Sequence, residues 1–325
     1  MTAIYYVSSP FQLMSALGIA KSRNATEDNI FVVLQGSKKR EKNNKHFEVL
    51  IEESSLYASL HVISFNNIIE LEFKLIFMFF KIKFSFSEVN EILVGDFRDL
   101  YSQLLLRRIK SKKRVIMDDG AATINILSNY ISKGITYPQV KGVYNGLRFG
   151  VYRLLGMRFD NDIELVTESI FNGEKIRKSN LESKIEDFYF IGSKYSEAGI
   201  IPLALEVSLI THISTLYEVD MKYIPHRDDN EVKLSMLKNA GINVYHLSTP
   251  VEHFMETVSN KQSIALGGFW TTALYSLGRE FCFAKVTSYD ICDFLKSESR
   301  RQDAGNVYSY FKDAGIFVVD LKAEI

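Results

Sequence analysis

Three separated groups of residues in this 325-residue chain combine side chains that move protons with side chains that hold anions. The first is Asp118-Asp119-Gly120, in which two adjacent carboxyl groups follow a strand-like run. One carboxyl could act as a general base, because the other and partial burial would both raise its pKa. The second group, Pro225-His226-Arg227, joins an imidazole to a permanent positive charge. The third is Gly267-Gly268-Phe269-Trp270-Thr271-Thr272, where two hydroxyls follow a glycine pair.

The elements around the second and third groups place them together. Strand-like runs alternate with short helical runs, which indicates parallel sheets covered by helices. The strand-like run Met221–Ile224 precedes Pro225, and the run Ser263–Leu266 precedes Gly267. Ligands of such sheets bind beyond the carboxyl ends of the strands. We therefore expect both groups on one rim, where a His, an Arg, glycines and hydroxyls suit a phosphate-bearing ligand. Gly192, which follows the strand-like run Phe188–Ile191, is a further predicted substrate contact.

A shorter signal lies at the start of the chain, where the strand-like run Ala3–Val7 leads through Ser8-Ser9-Pro10 into a helical pattern. Hydroxyls and unpaired amides at a helix N-terminus can hold an anion or a sugar. A simple helix N-cap with proline in the first turn explains the same residues. Asp118 and Asp119 have a similar alternative, as caps of the following helical run Ala121–Ile131.

Asp160-Asn161-Asp162 has the form of the D-x-D motif that binds a metal in one class of glycosyltransferase. No other feature near it indicates a nucleotide site, so we interpret it as a loop and predict no metal site and no cofactor.

Cys282 and Cys292 lack metal-ligand spacing and are expected to be buried thiols of a reducing compartment. The N-terminal residues do not form a signal peptide pattern. These features predict a cytoplasmic protein.

Charge divides the chain unevenly although its formal net charge is zero. Residues 1–180 contain 25 Lys and Arg against 19 Asp and Glu, a net charge of +6. Such a half can face an anionic acceptor or a membrane surface, and ordinary surface charge explains it equally well. Nothing indicates a nucleic-acid partner.

The most apolar segment is Ile68–Phe86, which three lysines interrupt. No uncharged stretch in it reaches the roughly 18–20 residues that a membrane span requires. We predict a helix with a broad apolar face that serves as core, as a homodimer contact or as a peripheral contact with the inner membrane.

Together the three groups resemble motifs of the bacterial sialyltransferases, most closely glycosyltransferase family 52, and are similar to those of family 80 and the polysialyltransferases. These families have an acidic-acidic-Gly motif, which Asp118-Asp119-Gly120 matches. Their His-Pro motif is reversed here, since Pro225 precedes His226. Their serine pair after a Gly-Gly turn is replaced by Thr271-Thr272. Ser8-Ser9-Pro10 also looks like the N-terminal turn of family 52.

The resemblance implies an α/β protein of GT-B architecture, with two Rossmann-like domains facing a central cleft. Residues 1–178 would bind the acceptor and supply the base, and residues 179–325 would bind the CMP-sugar, with the last helix packing back on the first domain. It implies an inverting, metal-independent transfer of sialic acid from CMP-Neu5Ac to a sugar hydroxyl, galactose by expectation, of lipopolysaccharide, O-antigen or capsule. In this assignment Asp119 is the general base, and His226 is the general acid, or the hydrogen-bond donor, for the departing CMP phosphate. Thr271 and Thr272 hold the phosphate.

The donor chemistry itself favours this division, because a protonated His beside an Arg can neutralise the single phosphate of CMP. Two alternatives stay open. One is a GT-B transferase with another donor, such as CMP-Kdo, another CMP-nonulosonate or a UDP-sugar. The other is a non-catalytic nucleotide-sugar-binding or assembly subunit. For the enzyme, the expected partners are a CMP-sugar donor and a glycan or glycolipid acceptor.

Overall fold

The structure, a computed structural model, describes residues 2–23, 30–35, 48, 50–135, 143–154, 163–170, 174–177 and 184–324. The chain divides into two compact units, Met1–Ile170 and Phe171–Ile325. Sequence analysis places the boundary a few residues later, between positions 178 and 179. Each unit contains one six-stranded sheet, all of whose described strand pairs are parallel.

The first unit has strand order β3-β2-β1-β4-β5-β6. Its strands are β1 (Ala3–Val7), β2 (Ile30–Gln35), β3 (Ser59–Ser64), β4 (Val89–Val94), β5 (Ser111–Ile116) and β6 (Val166–Thr167). Its helices are α1 (Pro10–Ser22), α2 (Ile68–Ser85), α3 (Leu100–Arg108), α4 (Ala122–Asn129) and α5 (Val143–Leu154). All five residues of β1 are buried, because this central strand has neighbours on both sides and apolar packing on both faces.

The second unit repeats the plan with strand order β12-β11-β10-β7-β8-β9. Its strands are β7 (Asp187–Ile191), β8 (Met221–Ile224), β9 (Asn243–Val244), β10 (Ile264–Gly268), β11 (Lys285–Asp290) and β12 (Phe317–Asp320). Its helices are α6 (Leu203–Ser214), α7 (Glu231–Asn239), α8 (Val251–Thr257), α9 (Thr272–Glu280), α10 (Glu298–Ala314) and α11 (Leu321–Glu324).

Counted from its own first strand, each sheet has the order 3-2-1-4-5-6, which is that of Rossmann-like sheets. The predicted α/β class is therefore confirmed. Strand order reverses between β1 and β4 in the first unit and between β7 and β10 in the second. In open parallel sheets, ligands bind beyond the carboxyl ends of the strands at such a reversal.

Several predicted elements match, among them the strands Ala3–Val7 and Met221–Ile224. The sequence predicted that Gly267 and Gly268 follow their strand. In the structure they are instead the last two residues of β10. Helix α5 was not predicted, because the glycines of its sequence have low helix propensity. Cys282 and Cys292 are partly exposed and not buried.

Asp160-Asn161-Asp162 lies outside the described residues. No helix in the part of the chain that the structure describes is long and apolar enough to cross a membrane.

Candidate functional site

Asp119 lies beyond the carboxyl end of β5 and lines a cavity of about 230 Å³ in the first unit. Strand β1, the turn and helix α1 that follow it, the turn after β4 and helices α2 and α5 supply the other lining residues. These are Tyr6, Ser8, Gln12, Ile68, Leu71, Glu72, Leu75, Asp96, Asp99 and Arg148. Four of the eleven lining residues are acidic, so the cavity offers many hydrogen-bond acceptors to a ligand that carries hydroxyl groups.

The carboxyl of Asp119 is poised to exchange a proton near neutral pH. Burial raises its pKa to about 6, opposed by a hydrogen bond from the Gln12 side chain. The negative charge of Asp96 raises the pKa further, and the guanidinium of Arg98 lowers it. The guanidinium of Arg98 donates one hydrogen bond to each carboxylate oxygen of Asp96, both at 2.9 Å. A carboxyl with a pKa near 6 is ionised at pH 7 and is a stronger base than an ordinary aspartate.

Asp118 has a different role from its neighbour. Its buried carboxylate accepts hydrogen bonds from the hydroxyl of Ser169 and, at 2.6 Å, from the backbone amide of Ile170. It thereby fixes the segment after β6 to the end of β5. Gly120 adopts a left-handed conformation (φ +66°), which turns the chain sharply after Asp119. The adjacent pair therefore consists of one structural carboxylate and one that faces the cavity.

The Ser8-Ser9-Pro10 turn positions Gln12, a residue that sequence analysis missed. Ser9 is the N-cap of α1 and accepts a hydrogen bond from the Gln12 amide at 3.2 Å, and Pro10 opens the helix. The side-chain oxygen of Gln12 accepts hydrogen bonds from the amide of Ser8 at 2.8 Å and from its hydroxyl at 3.1 Å. Because the side-chain oxygen of Gln12 accepts these two hydrogen bonds, the side-chain nitrogen is the group that donates a hydrogen bond to Asp119.

The two serines of this turn have different roles in the structure. The capping alternative for Ser9 is what the structure shows, whereas Ser8 lines the cavity. Gln12 could have been found from the sequence as a polar residue on the apolar face of α1, where it is 2% exposed. Gly95 is required beside it, since a Cβ there would lie 2.3 Å from the Gln12 side chain.

In the second unit, three loops begin at the same level of the sheet. Gly268 of β10 pairs with Ile191 of β7, and Ile191 pairs with Ile224 of β8. The residues that follow these strand ends are Phe269, Gly192 and Pro225. The predicted common rim for the Pro225-His226-Arg227 and Gly267-Gly268 groups is therefore confirmed, and it includes the reversal between β7 and β10.

His226 is neutral in the free protein, which differs from the protonated state expected from the sequence. Burial lowers its pKa to about 4, with a further lowering by the positive charge of Arg227. The backbone amide of Asp228 donates a hydrogen bond to Nδ1 at 3.1 Å. Since Nδ1 accepts, the ring proton lies on Nε2, which can donate to a ligand.

A buried ionic cluster holds the His226 turn, and sequence analysis did not identify it. Asp229 accepts hydrogen bonds from the backbone amide of His226 at 3.0 Å and from the hydroxyl of Tyr223 at 2.7 Å. The ammonium of Lys233 contacts Asp229 at 2.9 Å, the carbonyl oxygen of Ser193 at 2.8 Å and the carboxylate of Glu206. Lys233 thus joins the loop after β7 to the loop after β8. The sequence feature that could have indicated this cluster is a lysine, Lys233, on the apolar face of α7.

The glycines of this rim allow close packing. A Cβ on Gly192 would lie 2.4 Å from the hydroxyl of Tyr223, and one on Gly267 would lie 2.7 Å from the ring of Phe188. Thr271 is the N-cap residue of α9 and Thr272 the first helical residue, and both are partly exposed. The Thr271 side chain makes no capping hydrogen bond within this described helix. Its position at a helix N-terminus suits contact with an anion.

Comparison with protein-family models gives no match, and no curated protein matches the sequence. The assignment of chemistry therefore rests on the two sites themselves. Among the described residues, no group of three or more His, Cys, Asp or Glu side chains is arranged to hold a metal ion.

Proposed function

We propose that this protein is an inverting sialyltransferase of GT-B architecture, which transfers sialic acid from CMP-Neu5Ac to a sugar hydroxyl of a bacterial surface glycan. The observation that carries the proposal is the Asp119 carboxyl, which has a pKa of about 6 and faces a cavity lined by hydrogen-bond acceptors. An acceptor sugar is neutral and rich in hydroxyls, and galactose is the expected one. Its hydroxyl protons match the carboxylates of this cavity.

In the proposed reaction, the carboxylate of Asp119 is the general base. Ionised Asp119 removes the proton of the acceptor hydroxyl as the hydroxyl oxygen attacks C2 of sialic acid. Gln12 donates a hydrogen bond to the Asp119 carboxylate and so fixes its orientation. Attack and departure occur on opposite faces of C2 in one displacement, which inverts the configuration.

The leaving group departs at the rim of the second unit. The C2–O bond breaks and its electron pair goes to the phosphate oxygen of CMP, which becomes a dianion. The Nε2–H of His226 donates to that oxygen, and the guanidinium of Arg227 supplies positive charge. Thr271, Thr272 and the N-terminus of α9 add hydrogen-bond donors. Growing negative charge on the phosphate strengthens this hydrogen bond and raises the pKa of His226, which favours its protonated, positively charged form as the bond breaks.

The proposal is tested by product formation. Purified protein is incubated in EDTA with lactose and, separately, CMP-Neu5Ac, CMP-Kdo and UDP-galactose, and products are identified by mass spectrometry. We expect a sialylated lactose from CMP-Neu5Ac and no product when Asp119→Asn replaces the wild-type protein. A product from CMP-Kdo or UDP-galactose alone would assign a different donor. No product from any donor, together with binding of CMP, would favour a non-catalytic subunit.

A further inference from the structure

Helix α2 has apolar residues on two opposite faces. Its inner face packs into the core of the first unit through Leu71, Leu75, Met78, Phe79 and Ile82. Its outer face carries four large apolar side chains that are 66–80% exposed. These are Ile69, Phe73, Phe77 and Phe84. The spacing of four and seven residues places all of them on one stripe of the helix.

The outer stripe is large for a surface that faces only water. Three phenylalanines exposed to this extent present about 450 Å² of apolar area, which lies within the range of roughly 300–600 Å² for the largest patch of an ordinary monomer. The largest apolar patch of a monomer often has a function, which makes this stripe a candidate interaction surface. A partner for this stripe must accommodate aromatic rings that lie along one face of a helix.

The two charged residues at the C-terminal end of the stripe are both lysines. Lys81 is exposed and Lys83 partly exposed at the C-terminal end of the helix. The two acidic residues of the helix are paired, since Glu70 contacts Lys74 at 2.6 Å and Glu72 contacts Arg148 at 2.7 Å. The net charge next to the aromatic rings is therefore positive.

We propose that this outer face of α2 docks the protein on an anionic lipid surface. Phenylalanine side chains insert into the boundary between headgroups and acyl chains, and long lysine side chains reach the phosphates. A second copy of the chain fits less well, because a stable dimer buries about 800 Å² on each partner. Pairing two such stripes would also bring their unneutralised lysines together.

The same helix connects this surface to the cavity of Asp119. Ile68, Leu71 and Leu75 of α2 line that cavity from the inside. Docking through the outer face would hold the cavity within one helix diameter, roughly 10 Å, of the lipid headgroups. If the proposed function is right, this placement suits an acceptor glycan that is attached to a lipid.

Binding to vesicles tests the docking face without any need for turnover. The full chain is sedimented with vesicles of phosphatidylcholine alone and of phosphatidylcholine with 30% phosphatidylglycerol. We expect at least tenfold tighter binding to the anionic vesicles, which weakens as salt is added. Phe73→Ser with Phe77→Ser should weaken binding at least tenfold. Lys81→Gln with Lys83→Gln should remove most of the preference for anionic lipid.

Val232→Ser is the matched control, because Val232 is a 61% exposed apolar residue on α7. It should bind vesicles like the wild type, and all variants should keep the wild-type melting temperature. Equal binding by wild type and the phenylalanine variant, or no binding to either vesicle, would overturn the proposal. So would a dimer in sedimentation equilibrium that the phenylalanine variant converts to a monomer, since that result assigns the face to a second copy. Sialyl transfer in the absence of vesicles would leave the proposed function standing in either case.

Discussion

Lys233 and Asp229 form an ion pair at 2.9 Å in which both side chains are completely buried. The other oxygen of Asp229 accepts a hydrogen bond from the backbone amide of His226. The position of the His226 turn therefore depends on a charge in the interior of the second unit. A buried ion pair rarely adds stability over apolar residues, but removing one partner leaves the other charged and unpaired.

Lys233→Met should destabilise the protein by about 3–5 kcal/mol, because Asp229 and Glu206 would lose their buried counter-charge. The measurement is urea unfolding followed by circular dichroism. Lys238→Met is the control, since Lys238 is an exposed residue of the same helix, and it should change the free energy of unfolding by less than about 0.5 kcal/mol. Combining Lys233→Met with Asp229→Asn should cost less than the sum of the two single changes. Additive costs would show that the pair is not coupled.

Asp119→Asn should stabilise the protein at pH 7.5. The folded state raises the pKa of Asp119 from 3.8 to about 6, so the folded state binds this proton more tightly than the unfolded state does. The contribution of Asp119 to stability is therefore favourable at low pH and is lost as pH rises through 6. The variant avoids that loss, and we expect a gain of about 1–2 kcal/mol at pH 7.5 after allowance for partial exposure. Thermal melts at pH 4.5 and 7.5 measure it, and an equal difference at both pH values would contradict the assigned pKa.

The pKa of His226 should rise when a phosphate binds. In the free protein burial and Arg227 lower it to about 4, so the ring is neutral between pH 5 and 8. A titration of the His226 ring signals by NMR should give this value, and saturating CMP should shift it upward because a neighbouring anion favours the protonated ring. Arg227→Ala should also raise the pKa in the free protein. A His226 pKa that CMP leaves unchanged would place the phosphate elsewhere.

Gly192→Ala should disturb the donor site through Tyr223. The new Cβ would lie 2.4 Å from the Tyr223 hydroxyl, which donates to Asp229 at 2.7 Å. We expect weaker CMP binding by calorimetry and a loss of roughly 1–3 kcal/mol in stability. Gly305→Ala is the matched control, because a Cβ at this position of α10 meets no atom within 4 Å. It should leave CMP affinity unchanged and add up to about 1 kcal/mol of stability. A loss of affinity in both variants would point to a nonspecific effect.

The sequence predicted those parts of the fold and site in which local pattern decides the structure. The strands Ala3–Val7 and Met221–Ile224 were recognisable because each is a short, largely apolar run that a turn containing proline follows. The different roles of Asp118 and Asp119 were not, because Ser169 and Ile170, which hold Asp118, lie some fifty residues away. The neutral state of His226 also depends on burial, which composition does not reveal.

Acceptor-stimulated release of CMP tests the central claim most directly. CMP-Neu5Ac is incubated in EDTA with wild-type protein or Asp119→Asn, with and without a galactose-terminated acceptor, between pH 5 and 8. We predict release that the acceptor stimulates, that increases as pH passes through about 6, and that falls at least a hundredfold in Asp119→Asn. Acceptor-stimulated release that Asp119→Asn retains would contradict the assignment of the base. No release by the wild-type protein at any pH would contradict the proposed sialyltransferase.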